Sequence, residues 1–166
     1  VSFSSILVGS IVAIWQKNIK RLIAYSSIAH MGFATLALAT GNKADLNSIL
    51  IYMVIYILAN IGFFSCLINI QNKSDKNIEN VSDLAGLSIS NPGLAISIAL
   101  YMFSFAGIPP LAGFFAKYYI FISLINEGFI ILATTALTAS VIGAFYYIRF
   151  IKVMFFDEVD LSLIHI

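Results

Sequence analysis

Few side chains in this sequence are equipped for chemistry, and the first of them is a lysine set in apolar sequence. Lys117 is the one charged residue of the stretch 93–125, GLAISIALYMFSFAGIPPLAGFFAKYYIFISLI, and it follows Pro109 by eight positions. A cation near the centre of a bilayer is costly, so such a residue marks an ion pathway by default. The helix-breaking run Gly107-Ile108-Pro109-Pro110 lies just before it. A broken helix offers unpaired backbone groups and a cavity, which ion-handling membrane proteins use. An amine among apolar neighbours is held less firmly in its charged form than in water. It can therefore take a proton from one water chain and give it to another. The bland alternative is snorkelling toward the interface. Lys117 is about eight residues from the end of its run, roughly 12 Å at helical rise, so that reach is strained.

His30 is the second candidate. It stands nine residues into the apolar run 21–40, with Ser26 and Ser27 one turn earlier on the same helical face. An imidazole beside hydroxyls can shuttle a proton or hold a water. It can equally be a neutral histidine bonded to a neighbouring helix. Asn60, Ser65, Tyr25, Thr134, Thr135 and Thr138 form a weaker group of uncharged polar residues, for which bonding between helices is the plainer reading. Trp15, Tyr146 and Tyr147 fall near helix ends and fit interfacial belts. Gly32, Gly62, Gly113 and Gly143 read as points of close helix contact. Glu127 falls at a turn, where a carboxylate is solvated.

The elements that must position these groups follow from composition. Of 166 residues, 60% are hydrophobic and 10% charged, against about 25% charged in a soluble domain. The apolar blocks are too long for the strands of a membrane barrel, about 10 residues each. The expected fold is an all-α, polytopic transmembrane bundle of about five spans, at 2–16, 21–40, 46–70, 93–125 and 128–154, forming one domain over 1–156. The 33 residues of 93–125 would reach about 50 Å as a straight helix, against a hydrocarbon core of about 30 Å. Proline removes a donor and clashes with the preceding turn, so two half-helices, 93–106 and 111–125, are expected. The one long loop is 71–92, whose LAGLSI segment, Leu84–Ile89, is expected along the membrane interface.

With helices alternating in direction, Lys17, Lys20, Arg21, Lys73, Lys76, Arg149 and Lys152 fall on one side and Lys43 alone on the other. The positive-inside rule then puts the loops at 16–21 and 71–92 in the cytoplasm, or in the matrix of an organelle. A single cysteine, Cys66, excludes an internal disulfide framework and a cysteine-ligated iron–sulfur cluster. There is no phosphate loop, dinucleotide fingerprint, metal spacing or acid–base carboxylate pair. No NADH or flavin binding, no metal, no covalent chemistry and no nucleic-acid partner is expected of this chain. The first residue is a valine inside an apolar run with no charged leader, so the chain is expected to start partway through a larger protein.

At Asn18–Phe33, NIKRLIAYSSIAHMGF, and again at Ala106–Tyr118, AGIPPLAGFFAKY, the sequence resembles the antiporter-like membrane subunits of respiratory complex I, the proton-pumping NADH:quinone oxidoreductase. The resemblance covers about residues 1–156. The wording YSSIAHMG, with lysine at 117, points to the subunit N branch, equivalent to mitochondrial subunit 2. It implies a fourteen-helix subunit of two inverted five-helix repeats, of which the present helices are the second. It gives Lys117 the place of the broken-helix lysine in the half-channel toward the periplasm, and His30 a place on the central polar axis. The counterpart residues of the first repeat lie upstream, so this length is not expected to pump alone. It implies NADH, FMN, iron–sulfur clusters and quinone in other subunits, membrane-arm subunits and lipid as partners, and a bacterial inner or mitochondrial inner membrane as location. A multisubunit cation/proton antiporter and a purely structural membrane subunit stay open beside it. The tail 157–166, DEVDLSLIHI, departs from the family. Its LSLIHI end resembles read-through of a sequencing adapter, so His165 carries no functional weight.

Overall fold

The computed structural model describes residues 1–41, 45–74 and 78–157. Lys43, Lys76 and most of the tail, His165 included, lie outside the described residues. Among the described residues there are seven α-helices: α1 (Ser2–Trp15), α2 (Ile19–Leu36), α3 (Asp45–Ser74), α4 (Leu87–Ser90), α5 (Pro92–Ala106), α6 (Ala112–Asn126) and α7 (Ile130–Phe156). Short 3-10 turns cover Ala37–Thr40 and Val81–Leu84. Two helices, Leu46–Ile70 within α3 and α7, are each long and apolar enough to cross a membrane. The helices α1, α5 and α6 are apolar but shorter. The expected fourth span is divided as proline demands, with α5 ending at Ala106 and α6 starting at Ala112. The 21–40 span is shorter as an α-helix than expected and tightens to a 3-10 turn after Leu36.

Connectivity makes α5 and α6 one crossing. Asn91 and Pro92 start α5 beside α4, which packs on α7. α6 runs on to pack against α3 and the 3-10 turn at the far end of α2. Asn18 caps the start of α2 by accepting from the Arg21 amide at 3.1 Å. At that same end the 16–20 loop pairs with the 78–81 loop: the Ile19 amide donates to Glu79 O at 2.8 Å, and the Val81 amide to Lys17 O at 2.9 Å. Arg149 on α7 reaches across to Ile14 O at 3.1 Å. Lys17, Arg149 and Lys152 thus line one groove at one end of the bundle, as the charge count requires.

The segment Leu84–Ile89, expected along the membrane interface, packs one side on the bundle. Leu84 and Leu87 are buried, and only Ile89 is turned out. The strand-like pairing of Asn18 with Asn80 pins the loop against the helix ends, so its leucines are buried against protein.

Two apolar clusters hold the bundle. One centres on Phe63, Ile98, Met102 and Phe150, the other on Ile6, Ile120, Leu124 and Ala136. Large apolar side chains such as Leu50, Val54, Leu58, Ile131, Val141 and Phe145 point outward, which suits lipid rather than water. α1 and α2 touch through glycine. A Cβ on Gly9 would sit 2.6 Å from Ala29 N, and one on Gly32 would sit 2.9 Å from Ile6 N and Ser2 O. Among the other glycines expected at contacts, Gly62 and Gly113 are similarly crowded, by Tyr101 and Ser104, whereas Gly143 has ordinary clearance.

Overpacking of this kind typically costs about 1–3 kcal/mol. Gly32→Ala should therefore lower the thermal stability of the membrane-embedded protein by an amount of that order. Gly93→Ala, where an added Cβ meets nothing within 4 Å, should leave it unchanged. Unfolding curves of the two variants in native membranes check the pair.

Candidate functional site

The site begins with hydrogen-bond accounting at the break in the fourth crossing. In an α-helix the carbonyl of residue i accepts from the amide of i+4. The partners due to Phe105 and Ala106 would be residues 109 and 110, both prolines, which have no amide hydrogen. α5 ends instead in a glycine cap: Gly107 adopts φ +84°, its amide donates to Ser104 O at 3.0 Å, and the Ile108 amide donates to Phe103 O at 3.0 Å. That cap satisfies the carbonyls of 103 and 104 and leaves those of 105 and 106. Lys117 takes both. Its Nζ donates to Phe105 O at 3.0 Å and to Ala106 O at 3.1 Å.

Nζ also bonds the Ser140 hydroxyl on α7 at 3.0 Å and lies 5.2 Å from the centre of the Phe33 ring. The side chain is buried, so it does not snorkel. Gly113 lets α6 come this close. A Cβ there would overlap the Ser104 carbonyl, and the Gly113 amide donates to Ser104 Oγ at 3.1 Å.

This partner set serves two protonation states. An ammonium has three N–H donors, one for each carbonyl and one for the Ser140 oxygen. A neutral amine has two N–H donors and a lone pair. The carbonyls keep the two donors, and the Ser140 hydroxyl rotates to donate to the lone pair. Among the described residues no carboxylate touches Nζ, so none of them pins the charge.

His30 forms the second centre. Nδ1 lies 2.7 Å from the Tyr52 hydroxyl and Nε2 lies 2.9 Å from the Tyr147 hydroxyl. Tyr147 also bonds Ser26 Oγ. Tyr56 stacks on the imidazole, with ring centres 4.6 Å apart and planes 25° apart, and its hydroxyl donates to Ser27 Oγ at 2.6 Å. His30, Ser26 and Ser27 therefore meet in one polar cluster. A cavity of about 10 Å³ is lined by His30, Tyr52, Tyr56, Phe105, Ala116 and Lys117. Space of that size suits about one water, and both centres open on it.

Sequence reasoning placed Tyr147 and Tyr146 in an interfacial belt. Both are buried, and Tyr147 is in the cluster. Tyr52 and Ser140 were missed. The available signal was the inward face of α7, whose buried residues include Ala133, Ala136, Ser140, Gly143, Tyr147, Phe150 and Met154. Those steps of three and four bring Ser140 and Tyr147 onto one face. Asn60, Ser65, Thr134, Thr135 and Thr138 bond carbonyls of their own helices, and they make no bond between helices among the described residues. Trp15 is exposed near the end of α1 and Glu127 at the α6–α7 turn.

An apolar helix bundle whose broken crossing presents bare carbonyls to a buried lysine defines an integral membrane protein of antiporter-like architecture. The chain belongs to the NADH:quinone oxidoreductase/Mrp antiporter membrane family, whose model matches residues 1–143. It is 50% identical over 158 residues to NADH-quinone oxidoreductase subunit N of Parvibaculum lavamentivorans, covering 95% of this chain and 32% of that protein. It is 49% identical to NADH-quinone oxidoreductase subunit N 1 of Rhizobium meliloti, covering 95% and 33%. The chain thus spans about a third of the length of the curated relatives it matches. Among solved structures it superposes on a chain of respiratory complex I from Thermus thermophilus with bound aureothin, at TM-score 0.80 and 34% identity over 94% of this chain and 35% of that one. A chain of the Mrp complex from Dietzia shares the fold at TM-score 0.84 and 22% identity, over 95% and 29%.

The Gly107 conformation is one that a residue with a Cβ adopts at a cost of about 1–2 kcal/mol, and an added Cβ would also press within 3.1 Å of Lys117 Cδ. Gly107→Ala should lower the melting temperature of the protein in its membrane assembly. An unchanged melting temperature would contradict the cap described here.

Proposed function

We propose that this chain is part of the proton-translocating membrane subunit N of NADH:quinone oxidoreductase. It moves protons across the membrane while quinone is reduced elsewhere in the complex. The observation that carries this reading is the Lys117 pocket, which satisfies the amine with or without its extra proton and, among the described residues, holds no carboxylate against it. Lys117 is the group that gains and loses the proton. His30, with Ser26 and Ser27, belongs to the polar path beside it, and Gly107, Pro109 and Pro110 build the break that feeds it. Each proton moved against 100 mV costs about 2.3 kcal/mol. That is on the scale of one or two charged hydrogen bonds, worth about 1.5–3 kcal/mol each, so rearranging the partners of Nζ can drive it.

In this reading residues 1–156 act as one transmembrane unit within a hetero-oligomeric membrane arm. The end bearing Lys17, Arg149 and Lys152 faces the cytoplasm or matrix, in keeping with the positive-inside rule. NADH, flavin, iron–sulfur clusters and quinone are handled by other subunits. An Mrp-type cation/proton antiporter is the second reading, favoured by the shared fold. Relatives half identical to this chain and named subunit N weigh for the first. Copurification with iron–sulfur subunits separates the two.

In the intact complex, Lys117→Ala should reduce proton pumping while the peripheral arm oxidises NADH as before. Lys117→Arg keeps a cation and its donors but cannot release its proton, and it should reduce pumping too. Pumping at the wild-type level in both variants would refute the proposal.

A further inference from the structure

The hydrogen-bond pattern around His30 has a direction. A neutral imidazole donates from one ring nitrogen and accepts at the other. Each nitrogen here faces one tyrosine hydroxyl, Tyr52 at Nδ1 and Tyr147 at Nε2. A hydroxyl both donates and accepts, so one tyrosine must donate to the ring while the other accepts from it. The ring is held on both sides, by Tyr56 stacked at 4.6 Å and Phe105 edge-on at 5.8 Å. Tyr52 lines the cavity shared with Lys117. Tyr147 points the other way, to Ser26, one turn nearer the cation-bearing end of α2.

We propose that Tyr52 and Tyr147 are proton-relay residues that carry a proton through His30, with Tyr147 receiving it from Ser26 and Tyr52 handing it on to the Lys117 side. This rests on the reading of Lys117 as the proton-exchanging group. The step balances as a chain of exchanges. The ring starts protonated at Nδ1, donating to Tyr52 and accepting at Nε2 from Tyr147. A proton arriving on Ser26 Oγ releases that hydroxyl's own hydrogen to the Tyr147 oxygen, whose own hydrogen passes to Nε2, giving a transient imidazolium. Nδ1 then gives its proton to the Tyr52 oxygen, whose own hydrogen passes on to the Lys117 side. One proton has entered and one has left, no group stays charged, and the ring ends protonated at Nε2. The ring and both hydroxyls now point the wrong way for a second proton in the same direction. Running the same exchanges backward would return the proton, so a net transfer requires the ring to turn from its two partners and swap its N–H before the next, a motion its packed faces slow. The relay therefore passes one proton per reset, which opposes free leakage.

The test uses the assembled complex in membrane vesicles, with Lys117→Arg measured in parallel. Tyr147→Phe keeps the ring against Phe105, 5.9 Å away, and removes only the hydroxyl. It should reduce pumping to the level of Lys117→Arg, with NADH oxidation by the peripheral arm intact. Replacing Tyr147 with 3,5-difluorotyrosine keeps the ring and hydroxyl but makes the proton more acidic. A relay responds with a changed pumping rate, and a packing role does not. If Tyr147→Phe fails to assemble, the fluorinated chain decides alone. Wild-type pumping in the Tyr147 variants, with Lys117→Arg impaired, overturns the relay and leaves the Lys117 reading standing. Wild-type pumping in all of them overturns both.

Discussion

Two carbonyl groups without amide partners set the terms for this bundle. Consecutive prolines at 109 and 110 take away the donors owed to Phe105 and Ala106, and no water in a hydrocarbon core replaces them. A buried acceptor left bare costs about 1–3 kcal/mol. The Lys117 amine supplies both missing bonds. The dependence runs both ways, because an amine in apolar surroundings needs partners as much as the carbonyls do. Break and lysine form a single unit, each supplying hydrogen-bond partners that the other lacks.

The rest of the structure brings other groups to that unit. The two apolar clusters lie on either side of it. Phe105 from one and Ala116 from the other line the small cavity between His30 and Lys117. The inner face of α7 touches both centres, with Ser140 on the lysine and Tyr147, two turns on, at the histidine. α7 is thus the element through which a change at one centre is felt at the other. Its outer face carries Val141, Phe145 and Ile148, which suit lipid.

The long-range charge pattern, the spans and the break were readable from sequence because each depends on local chemistry. Charge is expensive in lipid, apolar length is countable, and proline acts on its own helix. Lys117, His30, Ser26 and Ser27 were readable for the same reason. Tyr52, Tyr147 and Ser140 were not, because their meaning lies in partners far away in the chain, 117 residues in the case of His30 and Tyr147. Tyrosine suits a membrane interface and an interior hydrogen bond equally well, and only the neighbouring helix decides between them. The packing of Leu84 and Leu87 was not readable for a related reason: apolar residues in a loop say that something covers them but not what. The pairing of Asn18 with Asn80 is what folds that loop onto the bundle.

The most direct test of the central claim is to watch the Lys117 amine itself. Infrared difference spectra of the working complex, with isotope-labelled lysine and a Lys117-substituted control to assign the bands, report ammonium and amine separately. The account requires that the Lys117 signal alternate between the two forms during turnover. An ammonium signal that stays constant through turnover, while protons are pumped, would contradict it.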